Sequence, residues 1–231
     1  MDLPKQENLH LFLLAGQSNM AGRGIIEESD KLPHPRVLAL DKDGKWRLAV
    51  APIHFDKTVT GVGLATSFAE AIAKRYPNVT IGLVPAACGG SAISTWEPGG
   101  YHSQTKSHPW DDAIARARVA MNNGVLKGIL WHQGETDTQN LGLAQSYGQR
   151  LAEMVSTLRQ ALDATNVPFI VGGLGDFLAN HPTCVHYGLV NDALQNLNVD
   201  RCGFASAAGL GEFDGIHFNS AAMRSLGQRY A

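Results

Sequence analysis

The stretch Leu11-Phe12-Leu13-Leu14-Ala15-Gly16, followed at once by Gln17-Ser18-Asn19-Met20-Ala21-Gly22, constrains this 231-residue chain more than any other. The apolar run is too short for a membrane span and reads as a buried strand that ends at Gly16. Gln17-Ser18-Asn19 then turns the chain into a helix or loop, which sets Ser18 at a strand's carboxyl end. In an open parallel α/β sheet that edge is where ligands sit, and a helix N-terminus there aims backbone N–H groups at an anion. Ser18 is therefore a candidate nucleophile, set against the plainer role of cap or turn residue that Ser and Asn often fill. Met20 occupies the place of the second glycine in a Gly-x-Ser-x-Gly elbow, which argues against the α/β-hydrolase arrangement.

Further along, strand-like and helix-like patterns alternate. Arg36–Leu40 and Lys45–Val50, joined by Asp41-Lys42-Asp43-Gly44, read as a hairpin leaving the sheet. Leu64, Phe68, Ile72 and Tyr76 recur every fourth position and mark one face of a helix over 63–76, stopped by Pro77-Asn78. Strands are predicted at 79–84, 125–131 and 168–174, with a short apolar segment at 203–207. Helices are predicted from an Asp111 cap to about Asn123, over 141–164 and 185–197, and from Asn219 onward. Trp96 to Trp110 contains Gly99-Gly100 and two prolines and reads as an irregular surface excursion. Such alternation argues for right-handed crossovers and a parallel sheet covered on both faces. The expected fold is α/β, a flavodoxin-like three-layer α/β/α sandwich of about five parallel strands, in a single domain over 1–231. A chain of this length can bury roughly 70–75% of its unfolded surface.

Charge excludes some functions. A net charge of −2 leaves no broad basic field for nucleic acid, so a neutral or weakly polar small substrate fits better. No run reaches the ~20 apolar residues of a membrane helix, and residues 1–10 lack a signal peptide's layout. A soluble chain with no membrane partner is expected, and secretion with a removed signal and a cytoplasmic location both fit; oligomeric state is not readable. Cys88, Cys184 and Cys202 are too few for a disulfide framework. A Cys184–Cys202 bridge competes with two buried thiols, which cysteine's tendency to burial favours.

A serine hydroxyl needs a base, and the base an acid that holds its tautomer. Phe213-Asp214-Gly215-Ile216-His217-Phe218 offers both, three residues apart in a glycine-containing loop, although a solvated loop pair has the same spacing. Donors for an oxyanion could come from the backbone of Ser18, from Gly90 or Gly89 in Ala87-Cys88-Gly89-Gly90-Ser91, and from the amide of Gln133. A Gly-Gly pair serves a plain tight turn as readily. His132, Glu135 and Asp137 could suggest a metal, but their spacing on a strand end does not aim all three one way, and no metal is expected. Glu135 is the rival to Asp214 as the partner of His217, or a brace behind the site. Trp96, Tyr101 and Trp110 could stack on a sugar or anchor the excursion to the core. His54, His102, His108, His181 and His186 have no acid at comparable spacing and read as surface or packing residues.

The ordered set Gly16-Gln17-Ser18-Asn19-Met20, the glycines near 90, His132-Gln133-Gly134-Glu135 and Asp214-x-x-His217 closely resembles the SGNH hydrolase superfamily. Within it the chain is similar to the carbohydrate esterase family 6 and sialate O-acetylesterase branch. The resemblance implies a Ser18, Asp214, His217 triad and an oxyanion hole from Ser18, Gly90 and Gln133, because branch members carry His-Gln-Gly-Glu where the wider superfamily has Asn. It implies a cofactor-free serine esterase acting on acetylated carbohydrate, with acetylated xylan ahead of sialic acid or a general short-chain acetyl ester, and Gln17, Asn19, Gly89, Trp96 and Tyr101 near substrate. Rival classes are a non-catalytic carbohydrate-binding protein on the same fold and a phosphate-binding module, which would want a glycine-rich loop and Lys.

Overall fold

In the computed structural model, which describes residues 2–231, β1 (Leu9–Gly16) is the central strand and is covered on both faces. Leu11, Leu13 and Ala15 enter one apolar cluster, while Phe12 and Leu14 enter another. Side chains alternate across a strand, so a strand with two covered faces needs an unbroken apolar run. The helices divide accordingly. α2 (Ala65–Arg75) and α6 (Ser220–Tyr230) supply Phe68, Ala69, Met223 and Leu226 to the cluster around Leu14. α3 (Pro109–Met121), α4 (Leu141–Ala161) and α5 (Tyr187–Gln195) supply Ala113, Leu151, Val155 and Val190 to the cluster around Leu13.

The remaining strands are β2 (Val37–Leu40), β3 (Trp46–Leu48), β4 (Thr80–Pro85), β5 (Val125–His132), β6 (Phe169–Gly172) and β7 (Cys202–Ala205). Their order is β3-β2-β4-β1-β5-β6-β7, all parallel except the β2–β3 pair. Five strands, β4-β1-β5-β6-β7, follow the doubly wound order expected of a flavodoxin-like sheet. The sheet has seven strands rather than about five because the hairpin does not leave it. β2 pairs with β4 through Val37, Leu38 and Ala39, all four β2 residues are buried, and β3 closes the edge.

Other departures are local. α3 begins with Pro109 in its first turn, where a missing N–H costs nothing, and Asp111 instead accepts from Gly99 N at 3.0 Å. Trp96 and Trp110 are buried, so the excursion between them is pinned to the core at both ends. Cys184 is buried and Cys202 half-buried, and both are free thiols. Asn140 and Asn219 cap α4 and α6 by accepting from Leu143 N and Ala222 N. Among the described residues no helix is long and apolar enough to cross a membrane. The chain moves from β1 to β4 on one side and on to β5 on the other, which opens a crevice at the carboxyl end of β1.

Candidate active site

Gly16 ends β1 at φ 134°, and a Cβ there would collide with the backbone carbonyl of His132. Gln17 N donates to that carbonyl at 2.9 Å, and Cys88 N to Gly16 O at 2.8 Å. The ends of β1 and β5 and the Gly89-Gly90 loop are thus tied together around the turn Ser18–Ala21 (α1). Ser18 opens on a cleft of about 360 Å³ that is also lined by Gln17, Arg23, Lys57, Gly90 and His217.

His217 arrives from the loop before α6. Its Nε2 lies 3.0 Å from Ser18 Oγ and its Nδ1 2.7 Å from Asp214 Oδ2. The other Asp214 oxygen accepts from the backbone N–H of Ile216 and His217, and Gly215 turns the chain between them at φ 85°. Burial would raise the Asp214 carboxyl, but the hydrogen bonds from His217 and the two backbone N–H groups outweigh it and hold the group below its usual range. With Asp214 accepting, Nδ1 carries the proton and the Nε2 lone pair faces Ser18.

The rival acid sits elsewhere. Glu135 is 3% exposed and takes Asn19 Nδ2 on Oε1 at 2.5 Å, with no hydrogen bond to His217 among the described residues. Burial pushes its carboxyl up despite that bond. His132 directs Nδ1 to Tyr230 Oη at 3.1 Å, and burial drives its pKa down to about 3. Since Tyr230 Oη donates to Trp131 O, His132 is the donor to Tyr230, and its Nε2 is a buried acceptor 3.8 Å from Glu135 Oε1. Asp137 accepts from Ile93 N and from Gln133 Nε2, and burial lifts it to about 6. Asp137 turns away from the His132 and Glu135 pair, and among the described residues no three His, Cys, Asp or Glu side chains converge on one ligand position.

Two expectations about side-chain direction are corrected. Gln133 is fully buried, and its Nε2 faces Gln17 Oε1 at 3.1 Å, Ser91 O at 2.9 Å and Asp137 Oδ2 at 2.6 Å, so its hydrogens are committed inside the protein and none points into the cleft. Asn19, expected near substrate, is also fully buried. Its Nδ2 donates to Ile216 O and its Oδ1 accepts from Phe218 N, gripping the chain on both sides of His217.

Gly90 lines the cleft at φ 87°; its carbonyl accepts from Thr136 Oγ1, and no backbone acceptor takes its N–H among the described residues. Gly89 is committed instead, its N–H to Asp56 Oδ2 at 2.8 Å and its carbonyl facing His102 Nε2. Trp96 is 1% exposed, donates to Ser91 Oγ and stacks edge-on against Trp131, so it is a core residue rather than a sugar platform. Tyr101 is exposed beside His108 but does not line the cleft.

The sequence reading missed one wall of the cleft. Arg23 and Asp56 form a buried pair at 3.0 Å, and Lys57 donates to Gln104 Oε1 at 2.9 Å. Close approach of Arg23, Asp56 and Lys57 to Gly89 explains why that residue has no side chain. Nothing in the local pattern around 56–57 signals this, because the partners are Arg23 and the Gly89-Gly90 loop.

Fold and site define a doubly wound α/β protein whose functional groups gather at the sheet's carboxyl edge. The chain belongs to the family described as carbohydrate esterase, sialic acid-specific acetylesterase, whose profile matches residues 8–231. A "probable carbohydrate esterase" of Arabidopsis thaliana is 35% identical over 180 residues, which span 69% of this chain and 66% of that protein, just under two thirds of its length. The crystal structure of the Arabidopsis protein superposes with a TM-score of 0.84 at 30% identity, covering 96% of this chain and 95% of that one. A carbohydrate acetylesterase from Xanthomonas citri shares the fold, with a TM-score of 0.73 at 21% identity, over 97% of this chain and 55% of that one.

Proposed function

We propose that this chain is a serine esterase that removes O-acetyl groups from carbohydrates through a Ser18, His217, Asp214 triad of the SGNH type, in the family 6 branch of carbohydrate esterases. The observation that carries the reading is the unbroken line from Ser18 Oγ through both nitrogens of His217 to Asp214, at 3.0 and 2.7 Å. His217 Nε2 takes the Ser18 proton as Oγ adds to the acetyl carbonyl, and Asp214 stabilises the imidazolium. The oxyanion meets the N–H groups of Ser18 and Gly90. The proton then passes to the departing sugar oxygen, leaving acetyl-Ser18, and a water deprotonated by His217 releases acetate and restores the serine. None of these steps calls on a cofactor.

Acetylated xylan or xylo-oligosaccharide is the substrate class that the family 6 resemblance suggests. A second reading, an O-acetylated acidic sugar such as sialic acid, is favoured by the cleft wall itself. Arg23 is neutralised by Asp56, whereas Lys57 has no carboxylate within salt-bridge distance among the described residues. The lining also holds no Trp, Tyr or Phe on which a neutral xylose ring could stack.

The test is labelling by a fluorophosphonate together with turnover of an aryl acetate. Ser18→Ala should abolish the label and lower turnover by about 10⁶. Near-normal turnover by that variant ends the mechanism, and a wild-type chain that neither labels nor turns over is a binding protein on this fold. Lys57→Ala should lower kcat/KM for an acetylated acidic sugar about tenfold while sparing the aryl acetate, the size of roughly one charged hydrogen bond. Equal activity of that variant on acidic and neutral acetylated sugars, relative to wild type, removes the acidic reading.

A further inference from the structure

We infer that the side-chain amide of Gln17, the residue immediately before the nucleophile, is the third donor to the oxyanion, the role that the resemblance suggested for Gln133. The inference rests on the acyl-enzyme reading above.

An amide side chain has one accepting end and one donating end, and its neighbours decide which way it lies. Gln17 Oε1 faces three donors: Gln133 Nε2 at 3.1 Å, Thr136 N at 3.4 Å and Gly134 N at 3.5 Å. Two of these are backbone N–H groups, which cannot reverse their role, so the oxygen is the end that points inward. The NH₂ group must then face the other way. Gln17 is 3% exposed, and the exposure it has opens on the cleft that it lines with Ser18 and Gly90. Its Nε2 takes no protein acceptor among the described residues and is not one of the sealed, unpartnered atoms. A donor left without a partner at the edge of a reaction cleft is held ready for charge that appears only during turnover.

Gln133 is thereby given a different part. Its NH₂, facing Gln17 Oε1, Ser91 O and Asp137 Oδ2, stands behind Gln17 and helps fix its amide plane, so Gln133 is a positioning residue. The sequence GQSNM therefore carries two donors side by side, the Gln17 amide and the Ser18 backbone N–H, while Gly90 supplies a third from across the cleft.

The test compares Gln17→Ala, Gln17→Glu, Gln133→Ala and Ser18→Ala on an aryl acetate, with kcat and KM separated and thermal unfolding recorded for each. Gln17→Ala should lower kcat about 10²–10³-fold with KM within about threefold, as loss of one oxyanion donor does. Gln17→Glu keeps an oxygen for the Gln133, Gly134 and Thr136 donors and sets a second oxygen where the NH₂ stood. It should lose at least as much, and it serves as the reading if Gln17→Ala does not fold. Gln133→Ala leaves the two backbone anchors on Gln17 and should lose about tenfold or less, roughly one hydrogen bond's worth. A Gln17→Ala or Gln17→Glu enzyme within about threefold of wild type, or a Gln133→Ala loss exceeding both, overturns the assignment. A dead Ser18→Ala beside a near-normal Gln17 variant overturns it alone, whereas an active Ser18→Ala sinks the acyl-enzyme reading and this assignment together.

Discussion

Replacing Asn19 by Ala should loosen the catalytic loop without touching a reacting atom. Asn19 is fully buried and makes three bonds: Nδ2 to Glu135 Oε1 at 2.5 Å and to Ile216 O at 3.1 Å, and Oδ1 from Phe218 N at 3.1 Å. Water can reach the half-buried Ile216 carbonyl, but Glu135 Oε1 and Phe218 N are left stranded. A buried polar group without a partner costs about 1–3 kcal/mol, so the two together cost roughly 4 kcal/mol. For a chain of this size each kcal/mol moves Tm by about 2–4 °C, which gives a fall of about 10 °C. His217 lies between the two residues that Asn19 grips, and a displacement of about 1 Å in a catalytic group can cost ~10²-fold. Thermal unfolding and kcat on an aryl acetate should therefore both fall. A variant whose Tm moves by less than about 2 °C and whose kcat stays within about threefold refutes the clamp.

Asp214→Asn should lower kcat by about 10²–10⁴ with little change in stability, because the group is partly exposed and acts by holding the His217 tautomer. If Glu135→Gln costs more turnover than Asp214→Asn, the two carboxylates have been given the wrong parts. Asp137, lifted to about 6 by burial, binds its proton more tightly in the fold than in the unfolded chain. The buried charge therefore subtracts stability as pH rises from about 4 through 6. Asp137→Asn removes that penalty, so its stability relative to wild type should grow by about 2 kcal/mol between pH 4 and pH 7. Urea unfolding at both pH values measures it, and a difference independent of pH would show that Asp137 is not titrating in this range.

Local patterns located most of the elements. The apolar run at 11–16, the fourfold recurrence at 64–76 and the strands near 80, 125 and 169 all form close to where periodicity puts them. The hairpin at 36–50 joins the sheet because Val37, Leu38 and Ala39 find an unpaired edge on β4, at Ile81, Gly82 and Leu83, a partner that no window around 40 contains. Trp96 was ambiguous for a similar reason. Large aromatics serve both cores and sugar sites, and only its position against Trp131 and Ser91 assigns it to the core.

The sequence by itself determined the alternation of strand and helix, the place of Ser18 at a strand's carboxyl end, and the spacing that lets Asp214 fold back on His217. These are properties of residues near one another in the chain, where a period of two or 3.6 and a short loop settle the geometry. Only the tertiary structure decided which amide faces the cleft, which carboxylate meets His217, and that Lys57 stands beside the Gly-Gly loop. Gln17 and Gln133 have the same side chain, and their different surroundings come from bonds spanning more than a hundred residues. The direction of a buried amide is set by the donors and acceptors packed around it, and those are assembled only when distant segments fold together.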